Sequence, residues 1–253
     1  MSLKNHHAIV TGGATGIGLA ITRILADAGT HVTIASRDLE QSRLVAASMQ
    51  NVKAVALDIT NPDAITKVFA DIEPIDILVN NAGTASTAPF HRITLDDWNA
   101  MLSINLTGTF LCSQAALASM RRRSGVRATG RIINIASTAG LKGSSYTAAY
   151  TAAKHGVVGM TRSLAMELAS TDITANCICP GFTNTDIVTN AIANISDKTG
   201  LSKVEALAEL IKDNPQKRLI EPEEVAAAVL WLCQETSKSI NGQSIVIAGG
   251  EIM

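Results

Sequence analysis

Aromatic side chains are scarce in this 253-residue chain, where phenylalanine, tryptophan and tyrosine together make up 3% of the residues. Hydrophobic residues still account for 47%, so the core must be built mainly from alanine, isoleucine, leucine and valine. This length suits one large α/β domain or two small ones. No segment rich in proline, glycine or serine divides the chain, and we therefore expect a single domain over residues 1–253.

An excess of charge of either sign is also missing. Charged residues make up 17% and the net charge is −1, which argues against a broad electrostatic surface for nucleic acid or anionic lipid. The one basic run, Arg121, Arg122 and Arg123 with Arg127, is interpreted as a solvated helix end and loop. The N-terminal residues lack the layout of a signal peptide, and we identify no apolar stretch of membrane-spanning length. We expect a cytoplasmic protein with neither a membrane nor a nucleic-acid partner.

Metal-ligand spacing is absent among the four cysteines. Cys177 and Cys179 are the closest pair, but they form no C-x-x-C motif and have no histidine nearby in the sequence. We therefore expect buried free thiols and no catalytic metal.

What the chain does contain is a regular alternation of short β-branched runs and helical segments. Strands are predicted at residues 8–10, 32–35, 54–57, 77–79, 131–135, 174–178 and 244–247. Unbroken apolar strands of this kind are typical of a parallel sheet covered on both faces. The alternation predicts an α/β fold with a doubly wound, Rossmann-type sheet of seven parallel strands and helices on both faces.

Residues 183–214 interrupt this rhythm because they are polar and helical and contain no predicted strand. Ligands of open α/β sheets bind outside the carboxyl ends of the strands, and this segment follows such an end. Long insertions in compact domains are commonly functional. We predict that it is a lid over a substrate.

The first predicted strand runs into the glycine-rich segment TGGATGIG, residues 11–18, before the first helix. Glycines at such a turn let the backbone approach a pyrophosphate, which then lies at the helix N-terminus. Taken alone, the segment is also compatible with an ordinary strand-to-helix turn.

Three further motifs follow in order. They are Asn80-Asn81-Ala82-Gly83, the set Ser137, Tyr150 and Lys154, and Pro180-Gly181. Together with T-G-x-x-x-G-x-G they resemble the short-chain dehydrogenase/reductase family over residues 8–250. Much of the chain is similar to the 3-oxoacyl reductase and 3-hydroxyacyl dehydrogenase branch, and residues 149–180 also resemble polyketide ketoreductases. The resemblance implies an NAD(P)-dependent oxidoreductase that transfers hydride between nicotinamide and a carbonyl or secondary alcohol.

The only two tyrosines, Tyr146 and Tyr150, lie four residues apart, and Lys154 lies four beyond the second. A phenol has an unperturbed pKa of about 10 and needs a nearby cation to act as a proton donor. Residues at i and i+4 share a helix face, so Tyr150 has Lys154 beside it and Tyr146 has no cation. We predict that Tyr150 is the general acid/base, with its pKa lowered by Lys154, and that Tyr146 lines the substrate pocket or packs.

The resemblance assigns roles to several other residues. Ser137 orients the substrate oxygen, and Lys154 also holds the nicotinamide ribose. Asn105 supports a water path to the lysine, or alternatively bonds a backbone carbonyl within its helix. Predicted substrate contacts are Ser137, Tyr146, Tyr150 and Phe182.

The second strand bears on the choice of cofactor. Ser36 stands where NAD-binding folds commonly place an acid, and Arg37 follows it. A hydroxyl and a guanidinium suit a 2′-phosphate, so NADP is favoured. NAD is the alternative if Arg37 is only a surface charge and Asp38 faces the ribose. Asp58 resembles the family acid that meets the adenine ring, or else caps the following helix.

The remaining cofactor contacts that the resemblance implies surround the nucleotide from its phosphates to its nicotinamide. They are Gly12, Thr15, Gly16, Ile17, Gly18, Ile59, Asn81, Ala82, Gly83, Tyr150, Lys154, Pro180, Gly181, Thr183 and Thr185.

The substrate is less constrained. A β-keto or β-hydroxyacyl thioester is the first choice. Arg92 and Lys142 are candidates for contact with a phosphate of CoA or of a carrier arm, although each is better explained as a surface charge. The alternatives are an NAD-linked dehydrogenase of a small cyclic or aromatic secondary alcohol, and a non-catalytic NADP sensor. A sensor would be expected to have lost Ser137, Tyr150 or Lys154. The resemblance and the apolar outer faces expected on two long helices imply a homotetramer, with a dimer as the second choice.

Overall fold

The computed structural model describes residues 3–122 and 129–252. Within these residues one parallel sheet is formed by β1 (His7–Thr11), β2 (His31–Ser36), β3 (Val52–Ala56), β4 (Ile77–Asn80), β5 (Thr129–Ile135), β6 (Asp172–Pro180) and β7 (Ser244–Ile247). The strand order is β3-β2-β1-β4-β5-β6-β7, and every pairing is parallel. All seven predicted strands are present, so the predicted fold class is confirmed.

The helices are α1 (Gly16–Asp27), α2 (Leu39–Ala47), α3 (Pro62–Asp71), α4 (Leu95–Leu102), α5 (Gly108–Met120), α6 (Ala148–Glu167), α7 (Asp186–Thr199), α8 (Lys203–Leu210) and α9 (Pro222–Cys233). Helix α6 begins at Ala148 and therefore carries both Tyr150 and Lys154. The segment 183–214 is helical as predicted, with α7 and α8. At its start, Thr183 forms a single parallel bridge with Ile220.

Each face of the sheet has its own apolar core. On one face, Ile21 and Leu25 of α1 pack with Val229 of α9. On the other, Ile9 and Ile132 of the sheet pack with Met120 of α5. These side chains are almost completely removed from water, and burial of such aliphatic surface is the main force that closes the two layers on the sheet.

The strand order reverses between β1 and β4, because β2 and β3 lie on one side of β1 and β4 to β7 on the other. Both strands end at the same edge, β1 at Thr11 and β4 at Asn80. At such a reversal, the connections of a doubly wound sheet lead to opposite faces and leave a cleft outside the strand ends. This is the point at which doubly wound sheets bind ligands.

Helices α4 and α5 are joined without a break by a π-helical turn, Ser103–Thr107. By length and composition alone, the resulting helix Leu95–Met120 is long and apolar enough to cross a membrane, since an 18-residue window within it has a mean hydropathy of 1.2. The expectation that no apolar stretch is long enough was therefore wrong. Its apolar residues have another explanation, since Cys112, Ala116 and Met120 pack on the sheet as part of the core.

Two smaller predictions can be examined in the described residues. All four cysteines are buried and free, as expected. Burial raises the pKa of Cys177 to about 11 and that of Cys179 to about 12, so both stay protonated at neutral pH. Arg122 is exposed just beyond the end of α5, as expected for a solvated helix end, and its guanidinium also donates to the carbonyl oxygens of Phe69 (2.9 Å) and Ile72 (3.2 Å). Arg123 and Arg127 lie outside the described residues.

Candidate active site

The glycine-rich loop forms a tight turn between β1 and α1. Gly12 and Gly16 have φ of +63° and +48°, in the left-handed region that a side chain disfavours. Thr15 precedes α1 but makes no side-chain cap, and the first turn contains no acidic residue. The backbone N–H groups of that turn therefore have neither a capping oxygen nor a competing carboxylate. They form a suitable site for a phosphate.

The loop is held against the end of β4 by Asn81. Its side-chain nitrogen donates to the carbonyl oxygens of Thr11 (3.0 Å) and Gly12 (3.1 Å). In return the Thr11 hydroxyl accepts the backbone N–H groups of Asn81 and Ala82, each at 3.0 Å. We did not predict a role for Thr11 from the sequence, although it is the first residue of the matched motif. Its hydroxyl aligns two of the motifs with each other.

Gly18 shows how close this packing is. A Cβ atom there would lie 2.1 Å from the Gly12 carbonyl oxygen and 2.5 Å from Nδ2 of Asn81. Glycine is thus required at position 18 because any side chain would clash inside the protein, and not only because a ligand must approach the backbone. The predicted cofactor residues Gly12, Gly18, Asn81 and Ala82 are brought together at one point.

On the outer side of the same cleft, Ser36 ends β2 and Arg37 is exposed beside it. Asp38 is already engaged, because its carboxylate accepts the Gln41 N–H (2.9 Å) and caps α2. Among the residues that the structure describes, no hydrogen bond or ion pair holds Arg37, whose charge is near enough to Asp58 to contribute to the lowering of the Asp58 pKa. This arrangement suits the phosphate interpretation of the pair better than a ribose contact by Asp38.

Asp58 does not cap α3, so that alternative was wrong. Its carboxylate accepts both the backbone N–H (2.9 Å) and the hydroxyl (2.7 Å) of Thr60, and these bonds are the main reason that its pKa is lowered. Asn61 caps α3 instead. The next residue, Ile59, is buried against Gly108 at the start of α5, which fixes the loop after β3 at the cleft.

Ser137, Tyr150 and Lys154 converge at the end of β5. Ser137 follows β5, and its hydroxyl is hydrogen-bonded to the phenol of Tyr150. Lys154 lies one helical turn further along α6, with Nζ 5.6 Å from the centre of the Tyr150 ring. The ammonium also donates to the carbonyl oxygen of Ile135 (2.9 Å), the last residue of β5. The structure thus brings together the three residues that the sequence singled out.

The pKa of Tyr150 differs from expectation. Burial raises it, and the hydrogen bond with Ser137 opposes that effect only in part. Lys154 does not contribute to this shift of the phenol pKa. Its ammonium is directed at the Ile135 carbonyl oxygen and at the face of the Tyr150 ring. Burial also lowers the pKa of Lys154 to about 8. The prediction of a lowered phenol pKa was therefore wrong for this geometry, and the phenol is held in its protonated form.

Asn105 lies in the π-helical turn and is buried beside the lysine. Its side chain accepts the Thr84 N–H (3.2 Å) and donates to the Thr84 carbonyl oxygen (3.0 Å). A Cβ atom on Gly83 would lie 2.7 Å from Oδ1 of Asn105 and 3.7 Å from Nζ of Lys154. Gly83, Asn105 and Lys154 are therefore close neighbours. Bulges of this kind often mark functional sites, and no sequence pattern predicted this one.

The other tyrosine is placed very differently. Tyr146 is 64% exposed and precedes α6 in a turn, with φ of +66°. Its carbonyl oxygen accepts the Ala88 N–H (2.9 Å), which ties this turn to the loop after β4. Phe182, another predicted substrate residue, is 41% exposed on the loop after β6. Both aromatic rings are therefore at the surface.

The loop after β6 crosses the cleft towards α1. Pro180 is the last residue of β6, and the Gly181 N–H donates to Ile247 of β7 (3.0 Å). Thr183 is buried, with its hydroxyl bonded to the Gly181 carbonyl oxygen (3.0 Å). A Cβ atom on Gly16 would touch the methyl group of Thr185 at 3.0 Å. The loop thus meets the phosphate site directly, as expected for residues that enclose one ligand.

Lys142 is not an independent surface charge. Its ammonium forms an ion pair with the carboxylate of Glu251 at 2.9 Å, and the glutamate side chain is only 7% exposed. The sequence could not suggest this pairing, because the partners are more than one hundred residues apart and belong to no common motif.

Comparison with known proteins agrees with this architecture. The family model described as short chain dehydrogenase matches residues 6–196. Acetoacetyl-CoA reductase of Shinella zoogloeoides is 37% identical, with 96% of this chain and 97% of that protein covered. D-beta-hydroxybutyrate dehydrogenase of Rhizobium meliloti is 32% identical, with 96% and 97% covered. A variant of actinorhodin polyketide ketoreductase, solved with NADPH, has a TM-score of 0.92 at 33% identity, with 99% of each chain covered.

A doubly wound sheet with a phosphate loop at its switch point and a Tyr-Lys-Ser group at the neighbouring strand end defines a nicotinamide-dependent oxidoreductase. The chain belongs to the short-chain dehydrogenase family. The resemblance seen in its motifs is thereby confirmed.

Proposed function

We propose that this enzyme reduces the 3-oxo group of an acyl thioester with NADPH. The observation that carries the proposal is the group at the end of β5, where Tyr150 is hydrogen-bonded to Ser137 and lies over Lys154. Support for the substrate comes from the acetoacetyl-CoA reductase, since acetoacetyl-CoA is a 3-oxoacyl thioester. Support for the cofactor comes from Ser36 and Arg37 and from the NADPH of the ketoreductase structure.

In this mechanism the Ser137 hydroxyl holds the substrate carbonyl oxygen, and Tyr150 donates a proton to that oxygen. The raised pKa of the phenol suits a reductive direction, because the acid must be protonated before the reaction. The Lys154 ammonium is held in place by the Ile135 carbonyl oxygen, where it is positioned to bind the nicotinamide ribose. Asn105 positions the backbone beside the lysine and supports a water path for reprotonation. When bound, NADPH supplies the hydride that is added to the carbonyl carbon.

The residues of the cleft fit such a cofactor. The first turn of α1, Gly16 to Gly18 with Gly12 and Thr15, would bind the pyrophosphate. Ser36 and Arg37 would bind the 2′-phosphate. Asp58 and Ile59 would hold the adenine ring, and groups from three loops and α6 would hold the nicotinamide half. These are Asn81, Ala82, Gly83, Tyr150, Lys154, Pro180, Gly181, Thr183 and Thr185.

The substrate side is formed by Ser137, Tyr146, Tyr150 and Phe182, and the helices of residues 183–214 act as a lid over it. Exposed apolar side chains lie on other helices, including Phe110 of α5 (46% exposed) and Met166 of α6 (82%). Their exposure supports assembly of the single-domain chains into a homotetramer. We place the enzyme in the cytoplasm, where its four unpaired thiols are stable.

The test is steady-state turnover of acetoacetyl-CoA by the purified protein with NADPH and with NADH, followed by oxidation of the reduced cofactor. We expect turnover with NADPH and a lower kcat/KM with NADH. A panel of cyclic and aromatic secondary alcohols with NAD serves as the opposing assay. Oxidation of those alcohols without reduction of the thioester would overturn the proposal.

A further inference from the structure

The ion pair between Lys142 and Glu251 lies on the substrate side of the cleft. The Lys142 N–H donates to the carbonyl oxygen of Thr138 (3.1 Å), the residue after Ser137. The Glu251 carboxylate faces the loop after β6, since a Cβ atom on Gly181 would lie 3.0 Å from its second oxygen. The pair therefore joins the turn that carries Ser137 to the loop that carries Phe182.

The chain is shaped to bring Glu251 to this place. Gly249 and Gly250 have φ of +60° and +90°, so the backbone after β7 turns back on itself. The Glu251 N–H closes the turn on the Ala248 carbonyl oxygen at 3.1 Å. A Cβ atom on Gly249 would lie 2.4 Å from the side-chain oxygen of the buried Asn214, at the end of the segment 183–214. Close packing on several sides fixes the position of the carboxylate.

The burial of the two partners is unequal, with side-chain exposures of 7% for Glu251 and 37% for Lys142. A carboxylate so far removed from water is retained at a cost unless a cation compensates it. Conversely, the carboxylate cancels the positive charge that Lys142 would otherwise present to the cleft. Lys154, which lies beside Tyr150, donates to the carbonyl oxygen of Ile135 at the end of β5.

This cancellation bears on a choice between two kinds of substrate. One relative is described as an acetoacetyl-CoA reductase, and another as a D-beta-hydroxybutyrate dehydrogenase, whose substrate carries a free carboxylate. The two compounds share the reacting four-carbon unit and differ in charge beside it. A free lysine near Ser137 would attract the carboxylate, whereas a neutral pair would not.

We propose that the Lys142–Glu251 pair is a specificity-determining element that keeps the substrate side neutral. It selects β-keto compounds that are uncharged beside the carbonyl, such as thioesters and esters, over free β-keto acids. The inference rests on the proposed function and deepens it, because it names which β-keto compounds are accepted.

The test compares two small substrates that differ only in this charge, acetoacetate and methyl acetoacetate. For each variant the measured quantity is the ratio of kcat/KM for acetoacetate to kcat/KM for the ester, with the same cofactor. Both values come from one enzyme sample, so the ratio does not depend on the fraction that is correctly folded. The variants are Glu251→Gln, Lys142→Gln and the double variant, which set the local charge to +1, −1 and 0.

We expect Glu251→Gln to raise the ratio by on the order of tenfold and Lys142→Gln to lower it. The double variant should return to the ratio of the unaltered protein, because its local charge is again zero. A purely structural role would shift both single variants in the same direction or leave the ratio unchanged, and either result would overturn the inference. If the unaltered protein turns over neither the ester nor acetoacetyl-CoA, the proposed function itself is wrong and the inference fails with it.

Discussion

On the cofactor side of the cleft, Gly18 leaves so little room that a methyl group would lie 2.1 Å from the Gly12 oxygen. On the substrate side, Tyr146 and Ile187 are 64% and 54% exposed, and Phe182 is 41% exposed. The first region is held by short polar contacts between loops, such as those of Thr11 with Asn81 and Ala82. The second is a rim of helix α7 and two surface loops.

The difference explains what a sequence motif can encode. Close packing and positive φ values admit very few residue types. The sequence of the cofactor side therefore contains short and specific motifs. A surface rim accepts many residues at similar cost, so its sequence predicts little. Function on the substrate side then depends on pairings such as Lys142 with Glu251, which no local pattern contains.

The largest expected effect separates the two tyrosines. We expect Tyr150→Phe to lower kcat by about 10³-fold, because the substrate oxygen loses its proton donor. Cofactor binding should persist, since the phenyl ring still covers Lys154. Measurement of kcat with acetoacetyl-CoA, together with titration of NADPH by tryptophan fluorescence, checks both statements.

Tyr146→Phe is the matched control, because it removes the same hydroxyl from an exposed residue four positions earlier. Its kcat should change by no more than about twofold. Equal losses from both substitutions would contradict the assignment of Tyr150 and would place Tyr146 in the catalytic group.

The second prediction compares two helical glycines. Gly18→Ala should weaken NADPH binding and lower the Tm, because the added methyl group pushes Gly12 and Asn81 away from α1. We expect this overpacking to lower the free energy of unfolding by about 1–3 kcal/mol. Gly159→Ala on α6 adds the same group where, apart from the neighbouring turns of the helix itself, no atom of the described residues lies within 4 Å. It should raise the stability by about 0.5–1 kcal/mol, as replacement of a helical glycine by alanine commonly does.

Thermal unfolding and NADPH titration of both variants provide the measurements. If Gly18→Ala bound NADPH as tightly as the unaltered protein, the close contacts would not be what shapes the phosphate loop.

The fold was predictable because each strand is rich in apolar and β-branched residues and the helices between them are long enough to cover the sheet. The same regularity placed Ser137, Tyr150 and Lys154 correctly, since a strand end and one helical turn fix their relative positions. The pKa of Tyr150 was not predictable, because spacing alone does not show where the ammonium points. Lys154 is four residues from Tyr150, yet it donates to Ile135, and burial controls the phenol.

Other features depend on contacts between distant segments. The π-helical turn around Asn105 has no sequence signature, and its hydrogen bonds go to Thr84. Arg122 is exposed at the end of α5, as expected, but its bonds to the carbonyl oxygens at the end of α3 could not be predicted. In the sequence, a polar side chain that also caps a distant element resembles any other surface residue.

The smallest effect lies at the outer end of the cofactor side, where packing is loose and only charge distinguishes the cofactors. Arg37→Ala should lower the preference for NADPH over NADH by about tenfold, because a charge-assisted bond to the 2′-phosphate is lost. The comparison is made as the ratio of kcat/KM for the two cofactors with one thioester.

Arg43→Ala is the control, since Arg43 is a second exposed arginine a short distance along α2 and shares the general electrostatic attraction. If Arg43→Ala changed the ratio as much as Arg37→Ala, long-range charge would explain the preference and no specific phosphate contact would be needed. An unchanged ratio in Arg37→Ala would remove the arginine from the site. The cofactor choice would then depend on Ser36, with Asp38 still engaged as the cap of α2. A shift confined to Arg37 would show that even the loosely packed end of the cofactor side contains a specific contact, whereas the rim of the substrate side discriminates by net charge.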